Sequence, residues 1–414
     1  MKYFEVGEYG FFADKRGKEK AKGRFALTHE AMLWEPEGLT WLNRSKLDDV
    51  YSRYAMNKLE SLERNDLQRL TLKEKMEKGL LGFVNLSYQN EECWREEIAR
   101  EIADAAEKTL KKQKVSILAL GDVGGTVLTG LKLLGGDAIS EIGIWDINPS
   151  VCRRWEYEMN QTAYPWQYEK LPEVRIRKEE ELFQCDVFIF CASKGIPPVD
   201  SKETDVRMAQ FQANREIIGK YAKMARRNAF RGLFAVVSDP VDPLCREVFL
   251  VSNEGEDGVF DGKGLRPEQI QGYGLGVMNS RAAYYAKQDS RYAQFLTEGR
   301  AFGPHGKDLV IANSIENYDD RLSEALTRLA VEANLKMREE GFKPHIAPAL
   351  SSAAISILLT LRGEWHYSSN FLGGIFMGSK NRTGALGLEI ESLPLPQSLY
   401  ARLEKASRGL EQIR

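Results

Sequence analysis

Residues 115–148 read VSILALGDVGGTVLTGLKLLGGDAISEIGIWDIN. The run from Val115 to Leu120 is apolar and short, as a buried parallel strand requires, and a glycine turn, a helix and a second strand ending at Asp146 follow it. Small residues stand at Ala119, Gly121 and Gly124, an A-x-G-x-x-G pattern. A side chain at Gly121 would keep a pyrophosphate from the backbone. Gly124 lets the helix close on its strand, and the N–H groups of Asp122 and Val123 open the helix toward an anion with the positive end of its dipole behind them. Asp146 lies 22 residues beyond Gly124 at a strand end, where a carboxylate can accept both hydroxyls of a ribose and repel a 2′-phosphate. Strand, turn, helix, strand and terminal acid in this order predict a dinucleotide site that takes NAD in preference to NADP.

Working outward, 414 residues suffice for two or three domains with sizeable cores. The composition, 43% hydrophobic and 29% charged, is that of a soluble globular protein. A net charge of −2 gives no electrostatic reason to expect nucleic acid or an acidic membrane as a partner. The first 20 residues lack the apolar core and small-residue cleavage site of a signal peptide, and no apolar run is long enough to span a bilayer. Five scattered cysteines point to a reducing, cytoplasmic compartment. Cys185 and Cys191 share a strand face in CDVFIFC and read as core residues. With neither a CxxC nor an HExxH motif, no metal site is expected.

Residues 1–112 form an extension expected to be mainly helical, with 46–80 rich in helix formers and an amphipathic stripe over 91–112 that includes Trp94, Ile98, Ile102, Ala105 and Leu110. It carries no catalytic constellation and suits an oligomerisation arm or a cover over the site. From 113 to 245 apolar runs at 115–120, 142–146, 173–177, 186–192 and 233–238 alternate with turn or helical material, including a helix over 206–227. That alternation predicts a doubly wound parallel sheet of the Rossmann type. Ligands of such sheets lie beyond the carboxyl ends of the strands, which places Ala192, Ser193 and the loops 193–205 and 238–245 beside the nucleotide. Residues 246–414 are expected to form an α+β substrate domain. Their outline is an exposed acidic insertion at 252–271, a glycine turn into a helix at GYGLGVMNSRAAYYA, and a histidine between glycines in GRAFGPHGKDLVIANS. Helices near 319–340, 349–361 and 395–411 and a strand near 387–391 complete it.

From residue 115 onward, over about 70% of its length, the chain resembles the lactate/malate dehydrogenase family. ALGDVG with IWDIN is similar to that family's NAD fingerprint, SDPVDPL to its N-P-V-D loop, GYGLGVMNSR to its G-x-G-x-x-L-D-x-x-R helix start and GPHG to its G-x-H-G catalytic loop. DVRMAQFQAN is similar to the segment carrying its mobile-loop arginine, seven residues before an asparagine, a spacing kept by Arg207 and Asn214. The resemblance implies hydride transfer between NAD(H) and C2 of a 2-hydroxy or 2-oxo acid, in a homo-oligomer, dimer or tetramer. It implies that His305 takes and returns the hydroxyl proton, a task neutral imidazole suits near pH 7. Arg281 would hold the substrate carboxylate by a two-pronged contact, and Arg207 would polarise the carbonyl.

The register at Arg281 rests on two facts. With Arg281 at the family's arginine position the glycines of GYGLGVMNSR fall in place, and Met278 lies 27 residues before His305, the family's separation between aspartate and histidine. In that register Met278 replaces the carboxylate that orients the histidine, and Asp239 replaces the asparagine of N-P-V-D. The sharper reading is that the carboxylate has moved, so that Asp239 supports the imidazolium of His305 from another strand end. The plainer reading is a site losing its chemistry. Asp200, Ser201 and Lys202 stand where malate enzymes carry an arginine, leaving Lys202 or Lys194 to meet a second carboxylate. Ser351, Ser352 and Ala353 lie near the other specificity position, with Ser352 expected beside the substrate. Oxaloacetate is therefore not expected to be the best substrate. Against the dehydrogenase stands an NAD-binding protein with little or no activity, a sensor or an assembly component. A metal-using glycosidase of similar architecture needs a cysteine–histidine pair that this sequence does not offer.

Overall fold

The structure, a computed structural model, describes residues 111–194, 206–372, 375–384, 387–391, 393 and 395–413, together with strands β1 (Lys2–Val6), β2 (Tyr9–Ala13) and β3 (Gly82–Val84). The helical segments expected within 1–110 lie outside the described residues.

The fingerprint folds as expected. Strand β4 (Gln113–Leu118) leads through the glycine turn into α1 (Asp122–Leu134), and β5 (Ile139–Trp145) ends one residue before Asp146. Helix α2 (Pro149–Asn160) starts where Asn148 accepts the Ser150 N–H and a proline takes the first helical position, whose N–H has no intrahelical partner anyway. Strands β6 (Glu173–Ile176) and β7 (Val187–Phe190), helix α3 (Val206–Arg227), strand β8 (Leu233–Val236) and helix α4 (Val241–Ser252) follow. Beyond them come β9 (Ile270–Gly272), α5 (Leu275–Ala286), β10 (Arg300–Phe302), β11 (Val310–Ala312) and α6 (Asp320–Glu339). A π-helical stretch (Pro348–Ile355) then runs into α7 (Ser356–Leu361), and β12 (His366–Leu372), β13 (Ile375–Gly384), β14 (Gly387–Glu391) and α8 (Gln397–Glu411) end the chain.

One sheet of ten strands, in the order β3-β14-β13-β12-β9-β8-β7-β4-β5-β6, runs through the molecule. From β6 to β9 neighbouring strands are parallel, and from β9 to β3 they are antiparallel. The chain builds β4, β5 and β6 in one direction, then crosses back to add β7, β8 and β9 on the other side of β4. The order reverses between β4 and β7, which opens a crevice at their carboxyl ends. The sheet also crosses the boundary expected at 245/246, because β8 pairs with β9.

Side chains alternate across this sheet. Ile117, Ile144, Val187, Ile189 and Ala235 face α1 and the 349–358 helical segment through Val127, Leu128, Leu131, Ala353 and Ile357. Leu118, Phe188, Phe190, Phe234 and Val236 face α3 and α4 through Ile218, Tyr221, Leu244 and Val248. Both faces are covered, so β7 reads VFIF with all four residues buried. Each fully buried Leu, Ile or Phe contributes roughly 1.5–3 kcal/mol, so the two layers fix the crevice firmly. No helix among the described residues is long and apolar enough to cross a membrane.

Candidate active site

At the crevice, Ala119 adopts a left-handed conformation (φ 71°), the strained first position of the turn. Gly121 is the N-cap of α1, with extended backbone and no side-chain cap, so the first N–H groups of the helix point outward. A Cβ added to Gly121 would meet nothing within 4 Å, whereas one added to Gly124 would overlap the Ala119 carbonyl oxygen. The two glycines thus serve different ends: Gly124 is needed for packing, and Gly121 keeps space free in front of the helix. Asp146 is half-buried; its carboxylate accepts the Leu120 N–H (2.8 Å) and the Asn148 N–H (2.9 Å), one on each oxygen. Its own N–H is donated to Cys152 Sγ (3.1 Å). Each oxygen retains a lone pair for a ribose hydroxyl. Asp122 forms a 3.5 Å ion pair with Lys343, and both side chains are exposed. An uncapped helix N-terminus, open space at Gly121 and a fixed acid at Asp146 fit a dinucleotide.

On the far side of the crevice the Ser238 hydroxyl donates to the Ala192 carbonyl (2.7 Å), tying the ends of β7 and β8. Asn214, fully buried on α3, makes a second tie. Its Oδ1 accepts the Lys194 N–H (3.0 Å) and its Nδ2 donates to the Asp239 carbonyl (2.8 Å) and to Ser193 Oγ (3.3 Å). Asn214, which in the sequence only fixed a spacing, therefore joins the segment after β7 to the Asp239 turn.

His305 sits on a loop between β10 and β11. Gly303 (φ 89°) donates its N–H to the Gly378 carbonyl at 2.9 Å. Gly274, just before α5, lies so close that a Cβ there would fall 2.9 Å from that of His305. The half-buried imidazole places Nδ1 3.2 Å from Asp239 Oδ1. Its Nε2 is buried and has no hydrogen-bond partner among the described residues. Below the ring, the His305 N–H is donated to Asp242 Oδ2 (3.4 Å), and Asp242 Oδ1 accepts the Ser369 hydroxyl (2.6 Å). Burial pushes the Asp242 carboxyl up to about 6, with the Ser369 bond pulling the other way.

Arg281 stands one turn after Met278 on α5. Its guanidinium donates to Asn334 Oδ1 and, at 3.5 Å each, to Met278 Sδ and the Ala330 carbonyl; desolvation by burial works against its charge. Met278, Asn334, Asp239, Asp242 and His305 all line one cleft of about 1220 Å³. Arg281 stands directly behind two of these lining residues and is not itself in the lining. Helix α8 supplies the outer wall with Glu404, Lys405 and Arg408, a contribution that the sequence pattern of an ordinary amphipathic helix did not reveal.

Two expectations change. Ser352 is buried, donates to the Gly274 carbonyl (2.7 Å) and accepts the Val277 N–H (2.8 Å). It caps the start of α5 from behind and does not line the cleft. Lys194, proposed to meet a second carboxylate, is paired with Glu216 at 2.9 Å. Arg207 falls at the second position of α3, with its side chain outside the described residues, as is Lys202.

No family model matches the chain. It is similar to curated L-lactate dehydrogenases of Mesomycoplasma hyopneumoniae, 21% identical over 309 residues and covering 68% of this chain and 90% of the relative. Among solved structures it is similar to the minor L-lactate dehydrogenase of Enterococcus mundtii, with a TM-score of 0.58, 19% identity and coverage of 73% of this chain and 97% of the other. The malate dehydrogenase of Picrophilus torridus gives a TM-score of 0.58 at 15% identity, covering 73% and 96%. The lactate dehydrogenase of Cryptosporidium parvum complexed with lactic acid and nicotinamide adenine dinucleotide gives 0.58 at 16%, covering 73% and 97%. The fold is that of the lactate and malate dehydrogenases. The sequence similarity to the L-lactate dehydrogenases covers about two-thirds of the chain.

Proposed function

We propose that the protein is an NAD-dependent oxidoreductase that interconverts a 2-hydroxy acid and its 2-oxo acid, with His305 as acid/base. The observation that carries this reading is the state of the imidazole: Nδ1 faces the Asp239 carboxylate, while Nε2 is buried and has no partner among the described residues. A buried nitrogen is ordinarily satisfied, and a substrate hydroxyl would satisfy this one.

Ala119, Gly121, Asp122, Val123, Gly124 and Asp146, with Ala192 and Ser193 across the crevice, would hold the dinucleotide; when bound, it takes up the hydride removed from C2 and returns it in the reverse direction. The protein's own part is the proton. In oxidation Nε2 accepts the hydroxyl proton as the C2–H bond breaks, and Asp239 balances the resulting imidazolium through Nδ1; in reduction the same proton goes back to the new alkoxide oxygen. Arg281 is the nearest candidate for the substrate carboxylate. To grip it, the guanidinium must exchange its bonds with Asn334 and the Ala330 carbonyl for the substrate's oxygens. Arg207, from the start of α3, would polarise the carbonyl.

With Asp239 in the cleft and Lys194 paired elsewhere, a second substrate carboxylate meets repulsion near the reacting carbon, so oxaloacetate is not the preferred substrate. The direct test follows NADH fluorescence during a screen of 2-oxo acids. Binding with consumption supports the dehydrogenase. Binding without consumption of any of them supports the alternative, an NAD-binding protein of the same fold, which the engagement of Arg281 with α6 favours. A specificity constant for oxaloacetate well above those for the other acids would overturn the substrate preference.

A further inference from the structure

We propose that Asp242 is the positioning residue that sets His305, gripping the main chain of the histidine while Asp239, from the same turn, holds its ring. The inference rests on the acid/base role of His305 given above, but it concerns a residue which that role does not use.

The argument begins with the turn. Asp239 and Asp242 are three residues apart, at the junction of β8 and α4, and both carboxylates point to His305. Their environments differ. The Asp239 side chain is half exposed. Asp242 is only 4% exposed and is held at both oxygens: Oδ2 accepts the His305 N–H at 3.4 Å and Oδ1 accepts the Ser369 hydroxyl at 2.6 Å. Ser369 belongs to β12 and pairs with Gly272 of β9, so Asp242 is anchored to the middle of the sheet. The catalytic loop has a second anchor two residues earlier, where Gly303 pairs with Gly378 of β13. Beyond His305 the loop passes through Gly306 at φ 121° and Asp308 at φ 67° before β11 begins, backbone conformations outside any helix or strand. Without Asp242, the hydrogen bond that remains to His305 itself among those described is the 3.2 Å contact of its ring with the half-exposed Asp239.

A carboxylate buried with one hydroxyl and one amide is costly to keep, and a small apolar residue would pack at that place without the cost. Its presence is accounted for if the His305 N–H must be fixed. A hydrogen-bond acceptor is then what position 242 has to supply, more than a charge. Catalytic groups lose rate steeply when displaced by fractions of an ångström to one ångström.

The test compares Asp242→Asn, which keeps an acceptor oxygen, with Asp242→Ala, which does not, and with Ser369→Ala, which frees the carboxylate to swing. Two readouts are taken on folded, NAD-loaded protein: kcat and KM for the best 2-oxo acid, and the hydrogen-exchange rate of the His305 amide. Asp242→Ala is expected to speed exchange at His305 by at least tenfold and to lower kcat by roughly ten- to a hundredfold with KM within threefold. Asp242→Asn is expected to keep both within a few fold of the parent, and Ser369→Ala to fall between. Equal exchange rates at His305 in the parent and Asp242→Ala would overturn the proposal, as would a loss in Asp242→Asn as deep as in Asp242→Ala. If no oxo acid is turned over, the oxidoreductase reading fails on its own, and the exchange rates still decide the role of Asp242.

Discussion

His305 Nδ1 and Asp239 Oδ1 stand 3.2 Å apart, although 66 positions separate the two residues in the chain. Met278, at the place where the family's carboxylate would stand, offers only a thioether, and that sulfur lies against Arg281. The carboxylate facing the imidazole therefore comes from the end of β8. Asp239→Asn keeps the shape and removes the charge that would balance the imidazolium. Turnover should fall by about a hundredfold, the scale of a well-placed acid/base contribution, with NAD affinity unchanged and the pH–rate profile altered. A profile and rate equal to the parent's would take Asp239 out of the mechanism.

The glycine turn after β4 separates packing from the proposed nucleotide binding. Ala119 holds φ at 71°, where a β-carbon is crowded. Ala119→Gly should therefore raise stability by about 1 kcal/mol, read by urea denaturation, with little change in NAD binding. Gly121 has φ −68° and open space beyond its α-carbon. Gly121→Val should fold with a melting temperature near the parent's and lose NAD affinity by at least tenfold, since the new side chain fills the place of the phosphates. NAD titrations that match the parent's would show that no pyrophosphate lies on α1.

Two buried groups give opposite pH dependence to stability. Burial holds the Asp242 carboxyl at about 6, above its ordinary 3.8, so the folded state binds that proton more tightly; the stabilisation is complete below 3.8 and is lost as pH rises through 6. Burial pushes the His366 imidazole down to about 4 from 6.5, so the folded state keeps it neutral; that contribution is complete above 6.5 and is lost as pH falls toward 4. Each is worth on the order of 3 kcal/mol, and between pH 4 and 6 they offset one another. The parent's stability should therefore change there with a slope between those of the two single variants. Asp242→Asn should turn it into a curve that rises with pH, and His366→Gln into one that falls. Curves that run parallel for all three proteins from pH 4 to 7 would contradict this account.

The parallel half of the sheet was legible in the sequence because a strand covered on both faces must be apolar throughout, as VFIF in β7 is. Strands β12 and β13 gave no such signal. HYSSNFL carries buried Ser368 and Asn370, which bond to each other and with Asn381 and Ser379, and buried Ser369, which donates to Asp242, so the alternation of apolar and polar residues is absent although the strand is central. His305 and Asp239 were legible through glycine-flanked and proline-containing turns. Ser352 was misjudged because small residues near a site look alike in sequence, whether they line it or cap a helix behind it. Asp242 was visible in the DPVD turn, but nothing in sequence tells that its carboxylate reaches a backbone N–H 63 positions away.

If the carboxylate has moved from 278 to 239, part of the function should follow when it is moved back. Met278 lines the same cleft as His305 and is 2% exposed. An aspartate there would replace a thioether that lies 3.5 Å from the Arg281 guanidinium. That cation offsets the cost of burying the new charge, which would otherwise exclude it. Asp239→Asn combined with Met278→Asp should therefore recover at least tenfold of the turnover lost in Asp239→Asn alone, whereas Met278→Asp in the parent background adds a further carboxylate beside Asp239 in the cleft and should weaken binding of an anionic substrate. The comparison requires all three variants to bind NAD as the parent does. A double variant that folds, binds NAD and stays at the level of Asp239→Asn would mean that a carboxylate serves His305 only from the turn at the end of β8.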